Sequence, residues 1–290
     1  MARSTFNING RTTFFPAMVI SFGMLTAGLA KGPEMEPEEL VARHLKSIGD
    51  AETREGIQSR SARGVGRFEV MVGGSGYLEG PASFLSQGNK LRFSIDFNHL
   101  NYRAERITFD GEKCYVGNVE PGVRSMLGDF FYQYDDFVKE GLLGGVLSTA
   151  WPLADLEGRR PRLDYRGLKK IDGRELLELR YRMRKGGGDF NINLYFDPET
   201  LHHIASIYKL RISAPMGRTP RESARQVETR LTLEEWFGDF QTRQGLDLPS
   251  HWTIRYTIEN AQGTRMSKWD MIFNRALHNM PINPQLFVLH

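Results

Sequence analysis

His202 and His203, with Asp197 and Glu199 just ahead of them, are the side chains whose types most resemble a metal set. Their spacing works against it. Adjacent residues on a strand point to opposite faces, so two neighbouring imidazoles do not converge on one ion. Asp129, Asp135 and Asp136 could be offered as paired acids, but they fall on the polar side and margin of a helical pattern, where helix-start charge and solubility account for them. Gly73-Gly74-Ser75-Gly76 imitates a nucleophile turn without the strand-to-helix context, and Gly186-Gly187-Gly188 imitates a phosphate loop without the Lys-Ser/Thr and helix that follow one. Both read as turns between strands. Cys114 is the only cysteine, which excludes an internal disulfide and a thiolate pair for zinc. The basic run Arg218 to Arg225, with Pro215 and Pro220, reads as a solvated loop, or as a contact for anionic headgroups or an acidic partner that high salt would weaken. These residues predict no enzyme: no catalytic group, no metal and no cofactor.

The chemistry left is the burial of apolar surface, and it is concentrated between Ser125 and Leu153. Phe130, Phe131, Tyr134, Phe137 and Val138 recur at helical spacing opposite Gln133, Asp135, Asp136 and Lys139, which predicts an amphipathic helix. Leu142, Leu143, Val146, Leu147 and Trp151 continue an apolar stripe, but Gly141, Gly144 and Gly145 each cost about 1 kcal/mol against alanine in a helix interior. That second piece is at best marginally helical without something to pack on. We expect it to form the underside of a lid, with Phe93, Ile95 and Phe97 lining the sheet opposite. The competing reading is that the same side chains fill a dry core. An acyl chain gains ~0.8 kcal/mol per buried methylene, on the order of 10 kcal/mol for a long one, so binding there needs no catalytic group.

The elements that must position these residues are mostly strands. Leu91, Phe93, Ile95 and Phe97 alternate with Lys90, Arg92, Ser94 and Asp96, which puts every apolar side chain on one face. The same period returns in Ile192, Leu194 and Phe196; in Ile204, Tyr208, Leu210 and Ile212; in Val227, Leu231 and Leu233; and in Trp252, Ile254, Tyr256 and Ile258. Asp110-Gly111, Asp172-Gly173, Gly186-Gly187-Gly188 and Asp197-Pro198 mark the connections. Met35 to Ile48 predicts a helix through Leu40, Val41, His44, Leu45 and Ile48, with acids in its first turn and Gly49 past its end. The expected fold is mainly β with α: a curved antiparallel half-barrel of about ten or eleven strands, closed by the N-terminal helix and a central helical lid.

Residues 1–30 carry Arg3 and Arg11, an uncharged apolar stretch and the small-residue ending Gly28-Leu29-Ala30, the pattern of an export signal, with a retained anchor as the alternative. Residues 31–290 read as a single domain. Losing the two arginines lowers the net charge from +3 to +1, which leaves no basic stripe for nucleic acid.

The order of several segments resembles the outer-membrane lipoprotein-sorting proteins of LolA-like fold. These are GNKLRFSIDF (88–97), RITFDGEKCYVG (106–117), the apolar lid segment, IDGRELLELRY (171–181), INLYFDPETLHHIASIYKL (192–210) and Leu248-Pro249. The resemblance implies a periplasmic carrier or binding protein whose half-barrel shelters lipid or lipoprotein acyl chains in an apolar cavity, with a membrane-associated donor or acceptor protein as partner; Phe130, Phe131 and Phe137 belong to the same expected set of cavity and lid residues. It implies, as the alternative, a lipid-sensing or envelope-stress regulator acting through a protein partner. The carriers hold the lid with an arginine just before the second or third strand. Here that stretch reads Ser86-Gln87-Gly88-Asn89-Lys90, with Lys90 its only cation, so no guanidinium clamp is carried over.

Overall fold

The computed structural model describes residues 35–214 and 228–289. The stretch 1–30 read as an export signal, the basic run from Arg218 to Arg225 and Val227 lie outside the described residues. Two helices lead in, α1 (Pro37–Ile48) and α2 (Ala51–Gly56). The strands β1 (Ser59–Val72), β2 (Tyr77–Gln87), β3 (Lys90–His99), β4 (Tyr102–Phe109) and β5 (Cys114–Val116) then run as an antiparallel meander. A second meander follows: β6 (Arg162–Ile171), β7 (Arg174–Arg182), β8 (Asn191–Phe196), β9 (His203–Ile212), β10 (Thr229–Arg243), β11 (Leu246–Asn260) and β12 (Gly263–His278). Pairing of β1 with β12 joins the two into one sheet of twelve strands in the order β5-β4-β3-β2-β1-β12-β11-β10-β9-β8-β7-β6, not closed into a barrel. This is the expected half-barrel with more strands than the ten or eleven anticipated. Alternation is clear in β3, but β6 keeps most of its side chains at least partly exposed and β5 is only 3 residues long, so neither announces itself in the sequence.

That order dictates what the middle of the chain must do. β5 and β6 are the two outer edges of the sheet, yet they are consecutive in the chain. The segment joining them therefore has to travel from one edge to the other across a face, and the apolar residues between Ser125 and Leu153 let it do so buried. It contains α3 (Met126–Gln133), α4 (Asp136–Glu140), 3-10 turns at Gly145–Leu147 and Pro152–Ala154, and α5 (Leu156–Arg159). The predicted single amphipathic helix is broken: Tyr134 takes φ −128° and ψ 56°, which ends α3 before α4 begins. The second piece is not an α-helix and keeps only the 3-10 turn at Gly145–Leu147. Gly141 and Gly144 have φ of +83° and +80°, so the chain turns there, as the glycine count already disfavoured a helix.

Sheet, crossing segment and α1 enclose one apolar core. At the β1–β12 seam the strands bend tightly enough that a Cβ on Gly64 would lie 1.9 Å from the Ile272 carbonyl oxygen. The expected grouping of Ile204 with Tyr208 and Leu210 is corrected: Ile204 belongs to a small cluster with Leu176, Tyr195, Ala205 and Ile207, apart from the main core. It is the extra residue of an irregularity in which Phe196 pairs with His203 and Tyr195 with Ala205, which reverses its side.

Candidate functional site

Phe93, Ile95, Phe97, Phe130, Phe131, Phe137, Leu142, Leu143, Val146, Leu147 and Trp151 all join the main core, and none is more than 6% exposed. They form two neighbourhoods. Under the Gly144–Leu147 turn lie Phe84 of β2 and Phe237 of β10, with Trp252 of β11 edge-on to both Phe84 and Phe93 at 5.5 and 5.1 Å between ring centres. Phe130 and Phe137 stack on each other and meet Tyr256 and Tyr208 respectively at 5.1 and 4.8 Å. Phe97 sits apart, with Phe68 and Tyr102.

The open cavity implied by the resemblance is replaced here by packing, because the side chains of the crossing segment occupy the face of the sheet themselves. Beneath Leu147 the remaining void is about 30 Å³, bordered by Arg60, Phe84, Leu248 and Phe273. That holds a water molecule or two and no acyl chain. A larger groove of about 320 Å³ opens where the segment begins, between Met126 and the residues Phe68, Val70, Tyr102 and Trp269.

What holds the segment down is polar, and the sequence reading missed it. Arg60 on β1 donates from one guanidinium nitrogen to the carbonyl oxygens of Val146 and Ser148, the latter at 3.3 Å. The absence of a guanidinium clamp read from Lys90 is therefore corrected: an arginine does grip the segment, from the first strand. Glu235 on β10, fully buried, accepts from the Gly144 N–H at 2.7 Å, the Tyr208 hydroxyl at 2.8 Å and the Trp252 indole N–H at 3.1 Å. Burial pushes its carboxyl up to about 7, against the pull of those three donors. Glu105 on β4 repeats the arrangement at the start of the segment. It accepts from the Tyr102 hydroxyl and, at 2.9 Å, from Ser125, whose hydroxyl also caps α3 by accepting from Gly128 N–H, and burial raises its carboxyl to about 7 as well.

Two histidines complete the set. Trp151 donates its indole N–H to His44 Nε2 at 3.1 Å, so Nδ1 carries the ring proton and donates to the Leu201 carbonyl at 2.9 Å. Burial lowers His44 to about 4, which keeps it neutral. His203 Nε2 lies 3.0 Å from both the Ala205 carbonyl oxygen and the Ser206 hydroxyl; the carbonyl can only accept, which places the ring proton on Nε2 and leaves Nδ1 as an acceptor without a partner. His202 points to the other side as expected, 3.0 Å from Asp247 and stacked on Phe240. Among the described residues no cluster of His, Cys, Asp and Glu is arranged to hold a metal ion. Asp129 and Asp135 pair with Arg124 and Lys139 on the outer side, while Asp136 accepts from the Gly187 N–H at 2.9 Å and ties the glycine turn to α4.

No charge alternation or motif marks Arg60, Glu105 or Glu235 in advance. The available signal was an acid at an apolar position: Glu235 stands in phase with Leu231, Leu233 and Phe237 along β10. Replacing Arg60 by methionine keeps its bulk but strips two buried carbonyls of a charged donor, an interaction of about 1.5–3 kcal/mol. Its own desolvation cost, which lowers the guanidinium to about 10, disappears in the same step. We therefore expect Arg60→Met to leave global unfolding nearly unchanged. Amide exchange across 141–148 should accelerate roughly tenfold or more, read by hydrogen-exchange mass spectrometry. Uniform exchange rates across the chain would show that Arg60 does not govern this segment.

No protein-family model and no curated protein matches the sequence. Among solved structures, the chain is similar to a DUF1329 family protein from Desulfovibrio piger, at 10% identity and a TM-score of 0.43, over 88% of this chain and 98% of that one. A putative outer membrane lipoprotein-sorting protein domain from Vibrio parahaemolyticus gives 7% identity and a TM-score of 0.45, over 86% and 95%. A LolA superfamily protein from Nitrosomonas europaea gives 14% identity and a TM-score of 0.44, over 88% and 99%.

Proposed function

We propose that the protein is an exported carrier or binding protein that takes an acyl chain, of a lipid or a lipidated protein, onto the concave face of its half-barrel in place of its own crossing segment. One observation carries this reading. Much of the face of a twelve-stranded sheet is covered by a chain of short helices broken at Gly141 and Gly144, and its anchors include a few hydrogen bonds between its backbone and the side chains of Arg60, Glu235 and Ser86. A segment that owes its place to such anchors and to apolar contact exchanges for an apolar ligand at modest cost, because the ligand restores the contact. The order of sequence segments shared with lipoprotein carriers supports the same reading and, with the export signal read in residues 1–30, a periplasmic location. The groove beside Met126 supplies a place for entry at the segment's first turn.

The test is native mass spectrometry of protein purified without detergent, followed by exchange against a long-chain acyl probe. A carrier retains acyl-containing mass and takes up the probe with lowered exchange protection in 125–153. Protein that emerges bare and binds no acyl probe is a stable exported scaffold instead.

A further inference from the structure

We propose that the concave face recognises an acyl amide: an apolar chain whose polar end carries amide N–H and C=O groups. This rests on the carrier reading and narrows it. When the crossing segment lifts, Glu235 loses the Gly144 N–H and Arg60 loses the carbonyls of Val146 and Ser148. A buried polar group that loses a partner without replacement is costly, so cargo that fills this space must return a donor to the Glu235 carboxyl and acceptors to the guanidinium. The protein's own occupant meets both needs with one short run of peptide backbone, Gly144 to Ser148. Amide chemistry is thus what the site already holds.

His203 adds an independent mark. Its Nδ1 is fully buried, has no partner and lies under Gly145, where a Cβ would come within 2.8 Å of it. With the ring proton on Nε2, this nitrogen accepts, and a further N–H from cargo would satisfy it. Tyr208 and Trp252 hold the Glu235 carboxylate from the other side, so it cannot turn away to find a different donor. A hydrocarbon offers nothing to these groups. An ester gives Arg60 its acceptor but leaves Glu235 short of the donor that Gly144 supplied and His203 Nδ1 without a partner, and a fatty-acid anion brings a negative charge beside Glu235.

The experiment titrates delipidated full-length protein with three probes of one chain length: N-hexadecanoyl-glycylglycinamide, methyl hexadecanoate and hexadecanoate. Native mass spectrometry counts bound probe, and tryptophan emission follows the site through Trp151 and Trp252. The wild-type protein should bind the amide roughly tenfold or more tightly than either competitor. In Glu235→Gln, which keeps an acceptor oxygen and the side-chain shape, the amide should still exceed the ester while hexadecanoate binds several times more tightly than before. Equal binding of amide and ester by the wild-type protein overturns the proposal and leaves the carrier reading standing, as does hexadecanoate binding best. Uptake of no probe at all overturns the carrier reading and this one with it.

Discussion

Leu143→Asp should unseat the crossing segment while leaving the sheet intact. Leu143 is 1% exposed in the middle of the main core. Removing its side chain costs about 2–5 kcal/mol in lost burial and cavity, and an aspartate placed there without a partner adds several more, or moves to water and takes its neighbours with it. The hydrogen bonds from Arg60 and Glu235 to Val146, Ser148 and Gly144 are worth about 1.5–3 kcal/mol each, so the substitution outweighs any one of them. None of the strand pairs involves residue 143, and the twelve strands remain bonded to one another without it. The expected signature is therefore split. Far-UV circular dichroism keeps its β character, emission of an apolar dye rises severalfold, limited proteolysis cuts within 125–155, and acyl probe is no longer retained. A folded variant that takes up acyl probe as well as the wild type would defeat the lid assignment. Loss of the sheet itself would make these residues ordinary core.

The fold was legible because its signals are periodic. Phe93 and Phe97 point inward beside Lys90 and Arg92, which do not, as the period of two requires. Asp172-Gly173 closes the β6–β7 hairpin with both residues at positive φ, the backbone such a two-residue turn demands. The burial of every predicted lining residue was legible for the same reason. What could not be read was whether burial meant cavity or core, since a stripe of Leu and Phe has the same spacing in either case. The anchors were hidden for a different reason. Apart from Tyr102 beside Glu105 on β4, the partners of Arg60, Glu105 and Glu235 stand 17 to 91 residues away in other parts of the chain, and sequence order carries no trace of such pairings until the sheet is assembled. The resemblance pointed to the stretch 86–90, where Lys90 is the only cation and no guanidinium stands. The arginine that grips the segment stands at the head of β1, where the two meanders meet.

Glu235→Gln should change how stability depends on pH, and the sign follows from where the proton sits. Glu235 is raised from 4.5 to about 7 in the folded protein by burial. Between those values the folded state keeps a proton that the unfolded chain has lost, so stability falls as pH climbs through that window. His44 works in the opposite sense. Burial lowers it from 6.5 to about 4, the unfolded chain holds the extra proton, and stability rises with pH over that interval. His203, also held neutral by burial, opposes Glu105 in the same manner. In the wild type the two kinds of group nearly cancel between about pH 5 and pH 6.5, and the curve declines only beyond, where the carboxylates alone still titrate. Removing one carboxyl uncovers the histidines. Relative to the wild type, Glu235→Gln should gain about 3 kcal/mol of stability on going from about pH 5 to about pH 8, measured by urea unfolding at each pH. An unchanged difference would mean that Glu235 titrates alike in the folded and the unfolded chain. The carboxyl that carries this proton is the one bonded to the Gly144 N–H.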